Sequence, residues 1–131
     1  MNIPRVNFFG SDAHFHHIGY AVRSITELAP DLQIFEDPIQ GVRVAFEELH
    51  GILLEFVEPI GMNSPINKYL ETRHSVYHTC FEVEDLQNAI DLARGEGLLL
   101  LRRPKPAVAF DGRNIAWVTH PHLGLFELLQ R

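Results

Sequence analysis

His17-Ile18-Gly19-Tyr20-Ala21-Val22 and His78-Thr79-Cys80-Phe81-Glu82-Val83 share one pattern: histidine, any residue, small, aromatic, any residue, valine. Downstream of each lies a second matching stretch, Leu53-Leu54-Glu55-Phe56-Val57-Glu58 in the first half and Leu125-Phe126-Glu127-Leu128-Leu129-Gln130 in the second. Two patterns recurring in the same order mark an internal duplication, and a duplicated unit of this size is one supersecondary module repeated. The 131 residues suffice for one domain and are too few for two independent cores. The chain therefore reads as a single domain of two modules, the first over about 14–60 and the second over about 75–131, joined by a linker helix over about 61–74.

Both modules predict the same elements. The segments 17–22 and 77–83 are rich in β-branched and aromatic residues and read as opening strands, so that His14 and His16 precede the first of them. After the second, Asp85 caps a helix with Leu86, Ala89, Ile90 and Ala93 on one face, ended by Gly95 and Gly97. Leu98–Leu101, Val108–Phe110 with Ile115–Thr119, and Leu123–Leu129 supply three more strands. In the first module Ser24–Pro30 allows only a short helix before Ile34-Phe35, and Val42–Glu48 with Ile52–Val57 form a hairpin around His50-Gly51. Ser64 is the expected N-cap of the linker helix, with Pro65 in its first turn. The fold class is α+β: two tandem βαβββ modules forming a curved mixed sheet around a metal cavity.

Alternation along a strand separates His17, Gly19 and Ala21 from Ile18, Tyr20 and Val22, and His78 with Cys80 from Phe81 and Val83. The larger apolar set packs under the helices. Each histidine then lies on the concave side, with small neighbours that leave space. Glu55 and Glu127 are flanked on their own faces by apolar residues, where a carboxylate is costly unless paired or coordinating a cation. Two histidines and two glutamates, one of each per repeat, are what a pseudo-two-fold cavity presents to one divalent ion. Such a donor set suits Co, Ni, Mn, Zn or Fe, with positions left for water or substrate.

Composition narrows the partners. Hydrophobic residues make up 46% and charged residues 21%, and 17 Asp and Glu against 11 Lys and Arg give a net charge of -6. That balance repels phosphate backbones, so nucleic acid is not an expected partner. No apolar run approaches a membrane span, and one cysteine excludes an internal disulfide. The opening residues lack a signal-peptide layout, so a cytoplasmic location is expected.

These residues resemble the vicinal oxygen chelate superfamily (glyoxalase/bleomycin resistance/dioxygenase), and most of all its methylmalonyl-CoA epimerases. The likeness rests on Phe15 to Val22, Gln40-Gly41-Val42-Arg43-Val44-Ala45-Phe46, Glu55 to Gly61 running into Ser64-Pro65-Ile66, His78 to Asp85, and Glu127. Carried over by position, it implies His17, Glu55, His78 and Glu127 as ligands of one divalent metal ion. It also implies Glu127 and Glu55 as the bases that exchange the α-proton of an acyl thioester, and a homodimer as the assembly. Arg102, Arg103 and Lys105, the only dense basic cluster, are the candidate contacts for a CoA phosphate. Four departures stand out: a shortened first helix, Glu55 where some epimerases use glutamine, Val44 where some carry a second carboxylate, and an abbreviated loop at His120-Pro121-His122-Leu123-Gly124. A glyoxalase I-type lactoylglutathione lyase uses the same donor set and the same two-base logic. A metal-free module that sequesters small molecules would not need the four ligands.

Overall fold

The computed structural model describes residues 6–72 and 74–131. Its order is β1 (His14–Ala21), α1 (Ile25–Leu28), β2 (Phe35–Asp37), β3 (Val42–Leu49), β4 (Ile52–Pro59), α2 (Asn67–Glu71), β5 (Val76–Val83), α3 (Leu86–Gly95), β6 (Leu99–Pro106), a one-turn 3-10 helix (Val108–Phe110), β7 (Asn114–His120) and β8 (Gly124–Gln130). Among the described residues, eight strands form one mixed sheet in the order β2-β3-β4-β1-β5-β8-β7-β6. The order mirrors itself about the seam between β1 and β5, which is how the duplication appears in space. On each side the opening strand pairs parallel with the closing strand of its own module, β1 with β4 and β5 with β8, while β1 and β5 pair antiparallel. No helix among the described residues is long and apolar enough to cross a membrane.

Helices cover the outer face as the alternation requires. Leu86, Ala89, Ile90 and Ala93 of α3 pack with Val83, Leu128 and Phe81, and Asp85 caps α3 by accepting from the Asn88 amide. Ile18, Tyr20 and Val22 pack with Ile25 of the short α1, alongside Leu54 and Phe56. The inner face gathers Val42, Val44 and Val57 with Tyr77. The β3–β4 hairpin turns at His50 (φ 49°) and Gly51 (φ 85°), two left-handed positions of the kind a two-residue turn needs.

Four local expectations are corrected. His14 and His16 lie within β1 rather than before it, because cross-strand pairing with β5 extends to His14 opposite Glu82. Val108–Phe110 is a 3-10 turn, not strand: Gly112 N–H bonds back to the Ala107 carbonyl, and Asp111 and Gly112 take positive φ, folding the segment on itself. β6 runs on through Pro104 to Pro106, which is possible because it is an edge strand whose register is broken twice. The linker helix begins at Asn67, with Ser64 and Pro65 in the preceding turn.

Candidate metal centre

Strand register assembles the site. Across the seam His17 stands opposite Cys80 and Gly19 opposite His78, so each histidine faces the small residue two positions beyond its counterpart. Those small residues are also register partners of the glutamates, Gly19 with Glu55 on β4 and Cys80 with Glu127 on β8. Four neighbouring strands thus deliver His17, His78, Glu55 and Glu127 to one layer at the centre of the sheet. Gly19 is needed there for room rather than for backbone freedom, since a Cβ would overlap the His78 ring.

The four side chains converge on a point. His17 Nε2 lies 3.1 Å from His78 Nε2, 3.1 Å from Glu127 Oε1 and 3.5 Å from Glu55 Oε1. His78 Nε2 lies 3.3 Å from Glu127 Oε1 and 3.5 Å from Glu55 Oε1. Donors about 2.0–2.2 Å from a common ion and roughly 90–110° apart would themselves be about 2.8–3.6 Å apart. All five separations meet that condition. Glu127 Oε1 is buried yet receives no well-aligned hydrogen bond despite its two close imidazole neighbours. Four buried donors aimed past one another, two imidazoles and two carboxylates, fit a borderline-to-hard divalent cation.

The electrostatics carry the same signature. Burial alone lowers the pKa of His17, but the Glu127 and Glu55 carboxylates outweigh it and push it up to about 10. Burial alone raises that of Glu127, and the adjoining His17 and His78 override it to hold the carboxyl well below the usual carboxylate range. A divalent cation bound there would displace the protons held between these groups. Burial pushes the Cys80 thiol well up, so it is no thiolate nucleophile at neutral pH.

Two irregularities bring residues to the site that strict alternation would place outside. The β1–β5 register slips between Phe15 and His17 and again between Gly19 and Tyr20, opposite His78 and Val76. His16 and Tyr77, each immediately before a site histidine, are the residues left over. His16 consequently meets His17, Nδ1 to Nδ1 at 2.8 Å, and Tyr77 packs edge-on against His78 with ring centroids 4.4 Å apart. Phe110 stacks on His17 at 5.8 Å, and Trp117 meets His78 edge-on at 4.9 Å. None of these four supports was singled out from sequence. Only the repeated position before each histidine could have signalled His16 and Tyr77.

Beside the cluster opens a cavity of about 270 Å³, into which Glu55 and Glu127 face together with Val44, Val57, Tyr77 and Trp117. Of the basic cluster, Arg102 reaches its lining while Arg103 and Lys105 do not, and all three are exposed on β6. Lys68 of α2 is a further cation on the cavity wall.

Comparison with known proteins agrees with this architecture. An ethylmalonyl-CoA/methylmalonyl-CoA epimerase from Cereibacter sphaeroides is 32% identical over 88 residues, 66% of this chain and 65% of that protein. The mitochondrial methylmalonyl-CoA epimerase of Dictyostelium discoideum is 29% identical over 83 residues, 62% of this chain and 49% of that protein. The chain thus spans less than two-thirds of the length of these curated relatives. The crystal structure of methylmalonyl-CoA epimerase from Mycobacterium tuberculosis shares the fold, with a TM-score of 0.75 at 21% identity, covering 88% of this chain and 86% of that one. A family model matches residues 16–117, a span that begins in β1, crosses the seam and takes in His17, Glu55 and His78. With the match running through both modules, the chain belongs to the Glyoxalase/Bleomycin resistance protein/Dioxygenase superfamily.

Proposed function

We propose that this chain is a metal-dependent epimerase that inverts the α-carbon of a 2-substituted acyl thioester, with methylmalonyl-CoA as the first substrate to test. The observation that carries the reading is the placement of two carboxylates, Glu55 on β4 and Glu127 on β8, flanking the histidine pair and both facing one largely apolar cavity. Names of relatives support it, two of them curated as epimerases of malonyl-type CoA thioesters.

One divalent ion, Co, Ni, Mn, Zn or Fe, would be held by His17, His78, Glu55 and Glu127, and when bound it supplies a Lewis acid that makes the α-proton of a thioester easier to remove. The protein's part is proton transfer and exclusion of water. Inversion needs a proton taken from one face of the carbon and another returned to the opposite face. Glu127 and Glu55 are the pair for that exchange, because Val44 cannot accept a proton. Val44, Val57 and Trp117 line the cavity and would give the reacting carbon apolar surroundings. Arg102 and Lys68 are the cations placed to meet an anionic carrier such as a CoA phosphate, and Arg103 and Lys105 extend that charge along β6. Exposed Val76, Leu101 and Leu123, grouped along a neighbouring cleft, support a homodimer, and the cytoplasm is the proposed compartment.

The test is wash-in of deuterium from D2O into methylmalonyl-CoA. Metal-loaded wild type should exchange the α-proton, and Glu127→Gln should lose roughly 10²–10⁴-fold of the rate, more than Glu55→Gln, since glutamine still coordinates but accepts no proton. Absence of exchange in the metal-loaded wild type, or full exchange in Glu127→Gln, overturns the reading. The His/Glu/His/Glu set equally suits a glyoxalase I-type isomerisation, so the hemithioacetal of glutathione is the parallel substrate.

A further inference from the structure

We propose that His16 is a positioning residue for His17: its Nδ1 accepts the His17 Nδ1–H, which keeps Nε2 of His17 facing Glu55, Glu127 and His78. Adjacent residues on a regular strand point to opposite faces and do not meet. Here the register slip between Phe15 and His17 turns His16 inward, and the two Nδ1 atoms stand 2.8 Å apart. At that distance one nitrogen donates and the other accepts. Nε2 of His17 is the atom aimed at the cluster, so the ring proton belongs on Nδ1 whenever Nε2 serves as a ligand. His17 is then the donor, His16 Nδ1 the acceptor, and His16 carries its own proton on Nε2.

The surroundings support this direction. Phe110 lies face-on to His17 and edge-on to His16 (5.5 Å, 86°), bracing both rings in the orientation the hydrogen bond requires. His16 is itself partly buried. Among the described residues, the other half of the site has no such partner. His78 Nδ1 is buried with no hydrogen bond, and that ring is held by Tyr77, Trp117 and the space over Gly19 instead. The two histidines of the repeat are therefore oriented differently, one by a hydrogen bond and one by packing.

The donor role of His17 and its consequence for metal affinity rest on the proposed metal centre; the Nδ1–Nδ1 contact of 2.8 Å does not. Nitrogen-15 NMR of the wild type should show a proton on His17 Nδ1 and an unprotonated Nδ1 on His16, with and without Zn. The opposite assignment overturns the proposal whether or not metal binds. Zn affinity, measured by competition with a chelator, should fall about 10- to 100-fold in His16→Phe, which keeps a ring against Phe110 and loses the acceptor. His16→Asn, which loses the ring and keeps an acceptor oxygen near the same place, should stay within a few-fold of wild type. A residue that merely packs would show the reverse order, and that result, or wild-type affinity in His16→Phe, overturns the inference. Failure of the wild type to take up Zn would instead remove the metal centre, leaving the NMR assignment to decide the hydrogen bond.

Discussion

At the scale of the residue, the site depends on what is missing as much as on what is present. Gly19 sits across the seam from His78, and a Cβ there would reach into the His78 ring, with even Nε2 only 2.7 Å away. That ring has nowhere to retreat, being gripped edgewise by Tyr77 and Trp117. Gly19→Ala should therefore abolish the proposed metal uptake and destabilise the fold by about 1–3 kcal/mol, the usual cost of overpacking. Metal stoichiometry and a urea titration check this together, and a variant that binds Zn like the wild type would show that the ring can move after all. Cys80, the equivalent position in the second module, carries a small side chain that the same layer tolerates, so the duplication is exact in register and not in residue.

Elements far from the seam tie the two modules together beside the site. Asp37 at the end of edge strand β2 is buried, and its carboxylate accepts from two amides at 3.1 Å, Oδ1 from Gln40 and Oδ2 from Val108. The second bond crosses from the first module to the 3-10 turn of the second, the turn that carries Phe110 onto His17. One carboxylate thus ties the rim of one half to the floor of the other. Asp37→Ala leaves two amides without their acceptor and should cost about 1.5–3 kcal/mol. Asp37→Asn, which retains one acceptor oxygen, should cost less. Denaturation midpoints decide it, and an unchanged midpoint in Asp37→Ala would mean that water replaces both bonds.

For the whole molecule, the proposed metal binding would be linked to folding, because His17, Glu55, His78 and Glu127 come from β1, β4, β5 and β8 and meet only when both modules have closed on each other. A cation that binds the folded state alone adds about 2.7 kcal/mol at a free concentration 100 times its Kd. For a chain of this size that corresponds to roughly 5–15 °C in Tm. Calorimetry with excess Zn or Co against a chelator should show that rise, and Glu127→Gln should reduce it. Identical melting in metal and in chelator would remove the ion from the account of stability.

The duplication, the alternation that turns His17 and His78 inward, the hairpin at His50-Gly51, the capped helix after Asp85 and the convergence of Glu55 and Glu127 on the two histidines were legible in the sequence. Strand period, turn chemistry and capping act within a few residues, and the repeat of one pattern in both halves carries that local reading across the chain. What the tertiary structure alone decided is where that regularity breaks. The slips that bring His16 and Tyr77 beside the site arise from pairing between β1 and β5, strands some sixty positions apart, where a leftover residue on one strand has no counterpart on the other. The folding of Val108–Phe110 into a turn, the reach of Asp37 to Val108, and the run of β6 through Pro104 likewise depend on neighbours supplied by the other module or by an exposed sheet edge. The chain encodes which side chains are offered to the cavity, and long-range register determines which residues stand behind them.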